Sequence, residues 1–505
     1  MINVNSIAEA VKYHAGTKPG RLALCDKKDQ VTYDELWRRA KKGAELLREA
    51  GVSKGDMVVI RAAQKISFVM AVLSVHLAGG AVCPLEKAVK EDRIREIAEL
   101  VDGRFYMAES AACEDMLKNI SLKEFFRAVS AESEEAVPEE PELPAPEGLS
   151  EILFTTGTTG KSKGIEVTFA CDIAIAQNVM DSVDMGPDET ELITSPINHS
   201  LAIRRTYAAL YNGSTAVITE GFKFANSFYG LMDKYAVTGI TFVPAILEQV
   251  LLFDREKLAS YREQLHYIQL GSAPLSEENK RILTEMFPGV RLYNTYGATE
   301  SGCTVILEFS RYPDKTKCIG RTTVNTELLF VNDDRKPVEA SENEPANLAF
   351  KGPMNMRGYY GEPELTKEVL DDEGIIYTND VGWRGEDGLV YLMGRKGDVI
   401  NMGGIKIAPT EVEEAAMKHP MVRDCACIPV PDPLTGEAPL LCVAVNEGAE
   451  YDSAELYTFL KEKLESVKVP KRYLEVETIP RTFNGKIIRR EVKEMAASYM
   501  KQEEA

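Results

Sequence analysis

Apolar residues recur at helical spacing through YDELWRRAKKGAELLREAG (33–51), and the run closes on a glycine. That pattern predicts a surface helix. MVVIRAA (57–63) follows as a compact apolar run of strand length. The opening residues, MINVNSIAEAV, read as the start of an amphipathic helix rather than a secretory signal. The longest apolar stretch, FVMAVLSVHLAGGAVCPL (68–85), is broken by His76, Gly79-Gly80 and Pro84. It predicts a buried helix, a turn and a strand, not a membrane span. Alternation of helix and strand through the first 125 residues predicts an α/β layer architecture.

Residues 131–149 (AESEEAVPEEPELPAPEGL) are acidic and proline-rich, as an exposed connector would be. From 172 to 310 the alternation resumes. Strands are predicted at 191–197, 215–219, 239–245, 267–273 and 291–297, in mixed or parallel sheets. Ligands in such sheets sit at the carboxyl ends of strands. The loops Gly271-Ser272-Ala273 and Tyr296-Gly297-Ala298-Thr299-Glu300 are therefore candidate site elements. Past about residue 310 the pattern turns strand-rich, with 326–333 and 347–353 as strands. After GRKGD (394–398), VINMGGIKIAPTEVEEAAMKHP begins a strand–turn–strand–helix unit. The last residues, roughly 110 of them, thus predict a separate α+β domain.

The chain of 505 residues has room for several domains. A formal charge of −20 opposes nucleic acid and anionic membrane as partners. It does not oppose a nucleotide, because a few lysines and N–H groups set a local field. The nine cysteines show no CxxC spacing and the five histidines do not cluster. This predicts reduced thiols in a cytoplasmic protein and no Cys/His metal centre.

TTGTTGKSKG (155–164) packs five hydroxyls, three glycines and two lysines together. It ends like a Walker loop at Gly160-Lys161-Ser162, but Thr155 stands where that motif needs its first glycine. Ile165, Val167 and Phe169 alternate with polar residues, which is strand periodicity. The loop is predicted to join two strands. Its backbone N–H groups, hydroxyls and ammonium groups can still gather around an anion.

TTGTTGKSKG, YGATE (296–300), YTNDVGW (377–383), GRKGD and PRTFNGKIIRR (480–490) occur in that order. Together they resemble the acyl-adenylate-forming superfamily: acyl-CoA synthetases, carrier-loading adenylation domains and firefly luciferase. The resemblance runs from about Tyr33 to Arg490. It implies a large N-terminal adenylation domain of α/β subdomains (1–394) and a small mobile α+β C-terminal domain (395–505). The implied reaction joins a carboxylic acid to ATP, releasing pyrophosphate. A thiol, usually that of CoA, then displaces AMP.

By that resemblance, Thr155, Thr156, Gly157, Thr158, Thr159, Lys161 and Lys163 lie along the β- and γ-phosphates. Thr299 suits a phosphate oxygen, and Glu300 suits Mg²⁺. Tyr296, followed by Gly297 and Ala298, offers a flat face to adenine, whose edge is read by Gly271, Ser272 and Ala273. YGATE also fits a plain helix start. Asp380 would accept from the ribose hydroxyls, with Asn379 where the family has glycine. Arg395 would contact ribose or phosphate. Lys486 would bridge the carboxylate and the α-phosphate as a point charge. Gly403 and Gly404 correspond to the strand-loop along which pantetheine enters. The pivot position, normally Asp or Lys, is Gly397.

TSPINHSLAIRR (194–205) aligns with the acyl pocket, which places His199 there and lets Arg204 or Arg205 face it. A hydrogen-bonded core histidine and a pair of surface arginines fit the same residues. The stretch lacks the aspartate that amino-acid-activating members carry. ATP, Mg²⁺ and CoA are the implied cofactors and co-substrates. Loading of a separate acyl carrier protein is the close alternative. A nucleotide-binding protein without catalysis and an oxygenating relative of luciferase are the further ones.

Overall fold

The computed structural model describes residues 1–131, 140–156, 162–482 and 485–503. Among these, three sheets organise the chain. The first is built on parallel strands Met57–Arg61, Ala81–Leu85, Phe105–Ala108 and Lys118–Ser121. Leu149–Thr156 joins it parallel to Ala81–Leu85, and Ser162–Thr168 returns antiparallel to Leu149–Thr156.

The first predicted helix spans Tyr33–Glu49 and starts as a capping box. The Glu35 N–H donates to Thr32 Oγ1 at 3.3 Å, and the Thr32 N–H donates to the Glu35 carboxylate at 2.9 Å. Its apolar face, Leu36, Trp37, Ala40, Ala44 and Leu47, is buried. The long apolar stretch resolves as predicted. Helix Ile66–Ala78 is buried throughout, Gly79 turns in the left-handed region, and Ala81–Leu85 is a strand. No helix among the described residues is long and apolar enough to cross a membrane.

The second sheet has a parallel half and an antiparallel half. Leu22–Cys25, Thr215–Ile218, Thr190–Ile193, Gly239–Phe242, Tyr267–Leu270 and Arg291–Ala298 run parallel. Past Arg291–Ala298 the direction switches. Gly302–Glu308, Cys318–Thr322, Val390–Arg395, Ile375–Arg384, Ala346–Lys351 and Glu327–Val331 then pair antiparallel. Three of the predicted strands overran by about three residues. Ser195-Pro196-Ile197, Val243-Pro244-Ala245 and Gly271-Ser272-Ala273 leave the ladder as loops or helix starts. Those overruns are the strand ends that carry the site.

The third sheet comprises Ile400–Met402, Ile405–Ile407, Val422–Asp432, Gly436–Val445 and Arg472–Glu475. It has its own core around Ile400, Val412, Cys425, Leu441 and Leu460. Helix Pro409–Ala416 follows the first hairpin, as the sequence predicts. All nine cysteines are free thiols.

Candidate active site

The glycine-rich stretch lies between Leu149–Thr156 and Ser162–Thr168, with Thr155 opposite Lys163 and Thr156 opposite Ser162. The two predicted flanking strands are thus the observed ones. Gly157, Thr158, Thr159 and Lys161 lie outside the described residues, and the side chains of Thr155 and Thr156 do too. Lys163 Nζ lies 5.0 Å from the centre of the Tyr359 ring. The Tyr359 hydroxyl donates to Glu300 Oε1 at 2.9 Å. Tyr359 therefore couples the anion loop to the acidic residue of YGATE. Sequence reasoning missed it, because it stands on a two-residue strand, Gly358–Tyr359, against Ile165–Glu166.

YGATE is a hairpin turn rather than a helix start. Thr299 and Glu300 sit between Arg291–Ala298 and Gly302–Glu308, half-buried. Met356 N–H donates to the Glu300 carbonyl at 2.8 Å and ties the turn down. A lone carboxylate such as Glu300 is the kind of hard oxygen ligand that Mg²⁺ takes beside phosphate oxygens.

Gly271 and Ser272 leave the neighbouring strand. A Cβ at Gly271 would fall 2.4 Å from Thr295 Oγ1, so only glycine fits. Ser272 takes a left-handed backbone, φ +74°. Ala273 follows, half-buried. Leu201 Cδ1 lies 3.6 Å from the same Cβ position, which brings the first turn of helix Ser200–Asn212 against this loop.

Tyr296 Oη donates to Asp380 Oδ2 at 2.5 Å. Burial and the Asp380 charge raise the phenol well above its usual value. Asp380 stands opposite Arg395 across an antiparallel pair, with Arg395 Nε 3.6 Å from Asp380 Oδ1. The Asp380 N–H donates to Thr378 Oγ1 at 3.1 Å. Asn379 is not among the residues with left-handed backbone, so the turn needs no glycine there.

Lys486 enters from the C-terminal part of the chain. Its N–H donates to Thr482 Oγ1 at 3.2 Å, and a β-bridge joins Arg481 to Ile487. A Cβ on Gly485 would lie 3.6 Å from that of Ala245, in the first turn of helix Pro244–Ala259. Loss of hydration lowers the Lys486 ammonium pKa first, and the Arg395 charge lowers it further. Asp380, Asp398 and Glu300 oppose that shift. The charges of Arg395, Asp380 and Glu300 thus all act on Lys486, which as a whole residue is exposed.

His199 stands at the N-cap position of helix Ser200–Asn212, makes no side-chain cap bond there, and is half-buried. Burial lowers its pKa, while Glu86 acts to raise it. Arg204 is a correction. It does not face the acyl pocket but lies 3% exposed in the core, paired with Glu151 at 2.8 Å and with Asp172. Two buried carboxylates demand a cation, and Arg204 supplies it. Arg205 is committed likewise, with Nε and Nη2 on Glu191 at 2.6 and 2.5 Å. Neither is a surface arginine.

Gly403 and Gly404 form the tip of the hairpin Ile400–Ile407, with φ of +61° and +95°. Gly403 N–H donates to Thr435 O at 2.9 Å, and the tip is exposed. A Cβ at Gly397 would meet nothing within 4 Å. Immediately beyond it, Asp398 is held by Lys493 at 3.1 Å and Arg489 at 3.6 Å.

The chain is 26% identical over 496 residues to 4-coumarate-CoA ligase 1 of Narcissus pseudonarcissus, covering 93% of this chain and 89% of that one. It is 28% identical over 469 residues to feruloyl-CoA synthase of an Amycolatopsis species, covering 92% and 93%. Among solved structures, the AMP complex of O-succinylbenzoate CoA synthetase from Bacillus subtilis superposes with a TM-score of 0.82 at 24% identity, covering 96% of this chain and 98% of that one. ATP-bound MatB from Rhodopseudomonas palustris gives 0.84 at 23% identity, covering 98% and 99%. At that identity both show a shared fold. The profile of AMP-binding enzymes matches residues 11–360, and that of their C-terminal domain matches 411–486. With the ordered motifs and the cluster they build, this match shows that the chain belongs to the AMP-binding enzyme family.

Proposed function

We propose that the protein is an ATP-dependent carboxylic acid–CoA ligase. The carboxylate oxygen attacks the α-phosphorus of ATP, and the bond to pyrophosphate breaks. The CoA thiolate then attacks the acyl carbon, and AMP leaves. The observation that carries this reading is the Tyr296–Asp380–Arg395 cluster, whose charges, with that of Glu300, act on Lys486. Catalysis of the first step is chiefly positioning and charge stabilisation, which such a set supplies.

Within it, Asp380 receives the ribose hydroxyls through the oxygen that Tyr296 leaves open. Tyr296 lies against adenine, whose edge meets the backbone of Gly271, Ser272 and Ala273. Lys163 and the loop Thr155–Lys161 receive the outer phosphates. Lys486 draws the acid and the α-phosphate together by charge. Glu300 would hold Mg²⁺, which when bound offsets the charge of the phosphates, and Thr299 would meet a phosphate oxygen. His199 borders the acid, Gly403-Gly404 borders pantetheine, and Gly397 is the pivot between domains 1–394 and 395–505. We assign the protein to the cytoplasm.

The test is incubation with ATP, Mg²⁺, CoA and a panel of short, aromatic, dicarboxylic and fatty acids, followed by mass spectrometry of CoA products. A new acyl-CoA that disappears in Lys486→Ala supports the proposal. AMP and pyrophosphate without acyl-CoA would transfer the reading to a carrier-loading adenylation enzyme.

A further inference from the structure

Lys486 reaches the Tyr296–Asp380–Arg395 cluster only if the C-terminal domain sits correctly on the large one. Helix Pro409–Ala416 carries two half-buried carboxylates three residues apart, in opposite electrostatic settings. The charge of Glu277, in the large domain, acts on Glu414, with Lys280 and Lys418 acting against it. Burial and the like charge of Glu277 push the Glu414 carboxyl up to about 7. That like charge works against docking. Glu411, in the first turn, does the reverse. One of its oxygens takes Lys468 of its own domain at 2.9 Å, and the other takes Lys317 of the large domain at 2.7 Å. All three side chains are largely shielded, with 16% to 24% of each exposed, so solvent screens the pair less than it would a surface pair.

Lys317 is unusual in its backbone as well. It takes φ +56°, a left-handed conformation that disfavours a side chain with a Cβ. The Leu392 N–H donates to its carbonyl at 2.9 Å and holds it there. Strain of this kind persists where the surroundings impose it, and it clusters at functional positions. Here it aims an ammonium group across the domain boundary at the one oxygen that Lys468 leaves open.

We propose that Lys317 and Glu411 form a docking latch that sets Lys486 at that cluster for adenylate formation. Lys317 is a positioning residue: it touches neither nucleotide nor acid. The latch's role in catalysis rests on the ligase reading above, but its geometry can be tested apart from it.

Spin labels on Leu252→Cys and Leu434→Cys would report the distance between the domains, since both sites are highly exposed and the native thiols are buried or half-buried. With ATP and Mg²⁺ present, the otherwise unmodified protein should give one narrow distance distribution. Lys317→Arg should keep it, and Lys317→Met or Glu411→Gln should broaden it. With an acid that supports ATP–pyrophosphate exchange, Lys317→Met should lower exchange by roughly tenfold to a hundredfold, the usual cost of a misplaced catalytic group. Transfer of a preformed acyl-adenylate to CoA should hold. An unchanged distribution in Lys317→Met, or one already broad before mutation, overturns the latch. Equal loss in both half-reactions with unchanged distances overturns it also. If no acid supports exchange in the unmodified protein, the ligase reading fails, and the label distances still decide the latch.

Discussion

The hydroxyl of Tyr296 and the carboxylate of Asp380 share a 2.5 Å hydrogen bond. They lie 84 residues apart in sequence, one on the last parallel strand and the other in the antiparallel half of the same sheet. The bond fixes the aromatic ring and spends one carboxylate oxygen, leaving the other toward Arg395. Asp380→Ala should raise the KM for ATP by roughly tenfold to a hundredfold, since a hydrogen bond to a charged group contributes about 1.5–3 kcal/mol. Tyr296→Phe keeps the ring and loses the tether, so it should give a smaller rise. Exchange kinetics at varied ATP would read both.

Lys486 sets an alkaline limit. Its ammonium pKa is lowered in the fold, so it loses its proton at a pH below that of an ordinary lysine. Adenylate formation should therefore decline as pH rises through the lowered value, with its charged form fully present below it. Removing Arg395, which pushes that value down, should move the limb upward in Arg395→Gln, whatever happens to the maximal rate. A pH–rate profile of pyrophosphate exchange decides this. An unmoved limb would separate it from Lys486.

Arg204 should matter to stability rather than to acid preference. Arg204→Met leaves Glu151 and Asp172 together in the core without their cation, at an expected cost of about 3–5 kcal/mol. Burial and the neighbouring Asp172 raise the Glu151 pKa above the ordinary glutamate range. The folded state thus holds a proton that the unfolded chain releases. This group's contribution to stability should fall as pH rises from the ordinary value toward the raised one. Glu151→Gln should remove that slope, as thermal unfolding across the acid-to-neutral range would show.

Gly397 should tolerate a side chain. A Cβ there meets nothing, and its φ is not left-handed. Gly397→Ala should leave the melting temperature unchanged or raise stability by about 0.4–1 kcal/mol through the unfolded state. Turnover of the complete reaction should change more than pyrophosphate exchange, if this residue serves as the pivot. Equal changes in both rates would place the pivot elsewhere.

Local signals carried much of this architecture. The helical spacing from Tyr33, the broken apolar run at 68–85 and the strand flanking Lys163 each depend on near neighbours in sequence. Three strands came out too long at their carboxyl ends, because small or apolar residues such as Val243-Pro244-Ala245 and Gly271-Ser272-Ala273 do not mark where the ladder's hydrogen bonds stop. Arg204 misled for a related reason. Its partners Glu151 and Asp172 lie 53 and 32 residues earlier, on a strand and a helix whose packing no periodicity reports. Tyr359 and Lys317 were silent in the sequence. One works from a two-residue strand, and the other through a backbone angle and a carboxylate 94 residues away.

Arg395 ends a strand of the large sheet, and Gly397 and Asp398 follow at once, with Asp398 clamped by Lys493 and Arg489. The proposed nucleotide grip and the proposed pivot are thus mechanically in series, two residues apart. Torque from a swing of the small domain would be delivered first to the residue facing Asp380, with Gly397 as the compliant element between two stiff arms. Loosening the spent nucleotide and swinging the domain would then be strokes of a single lever.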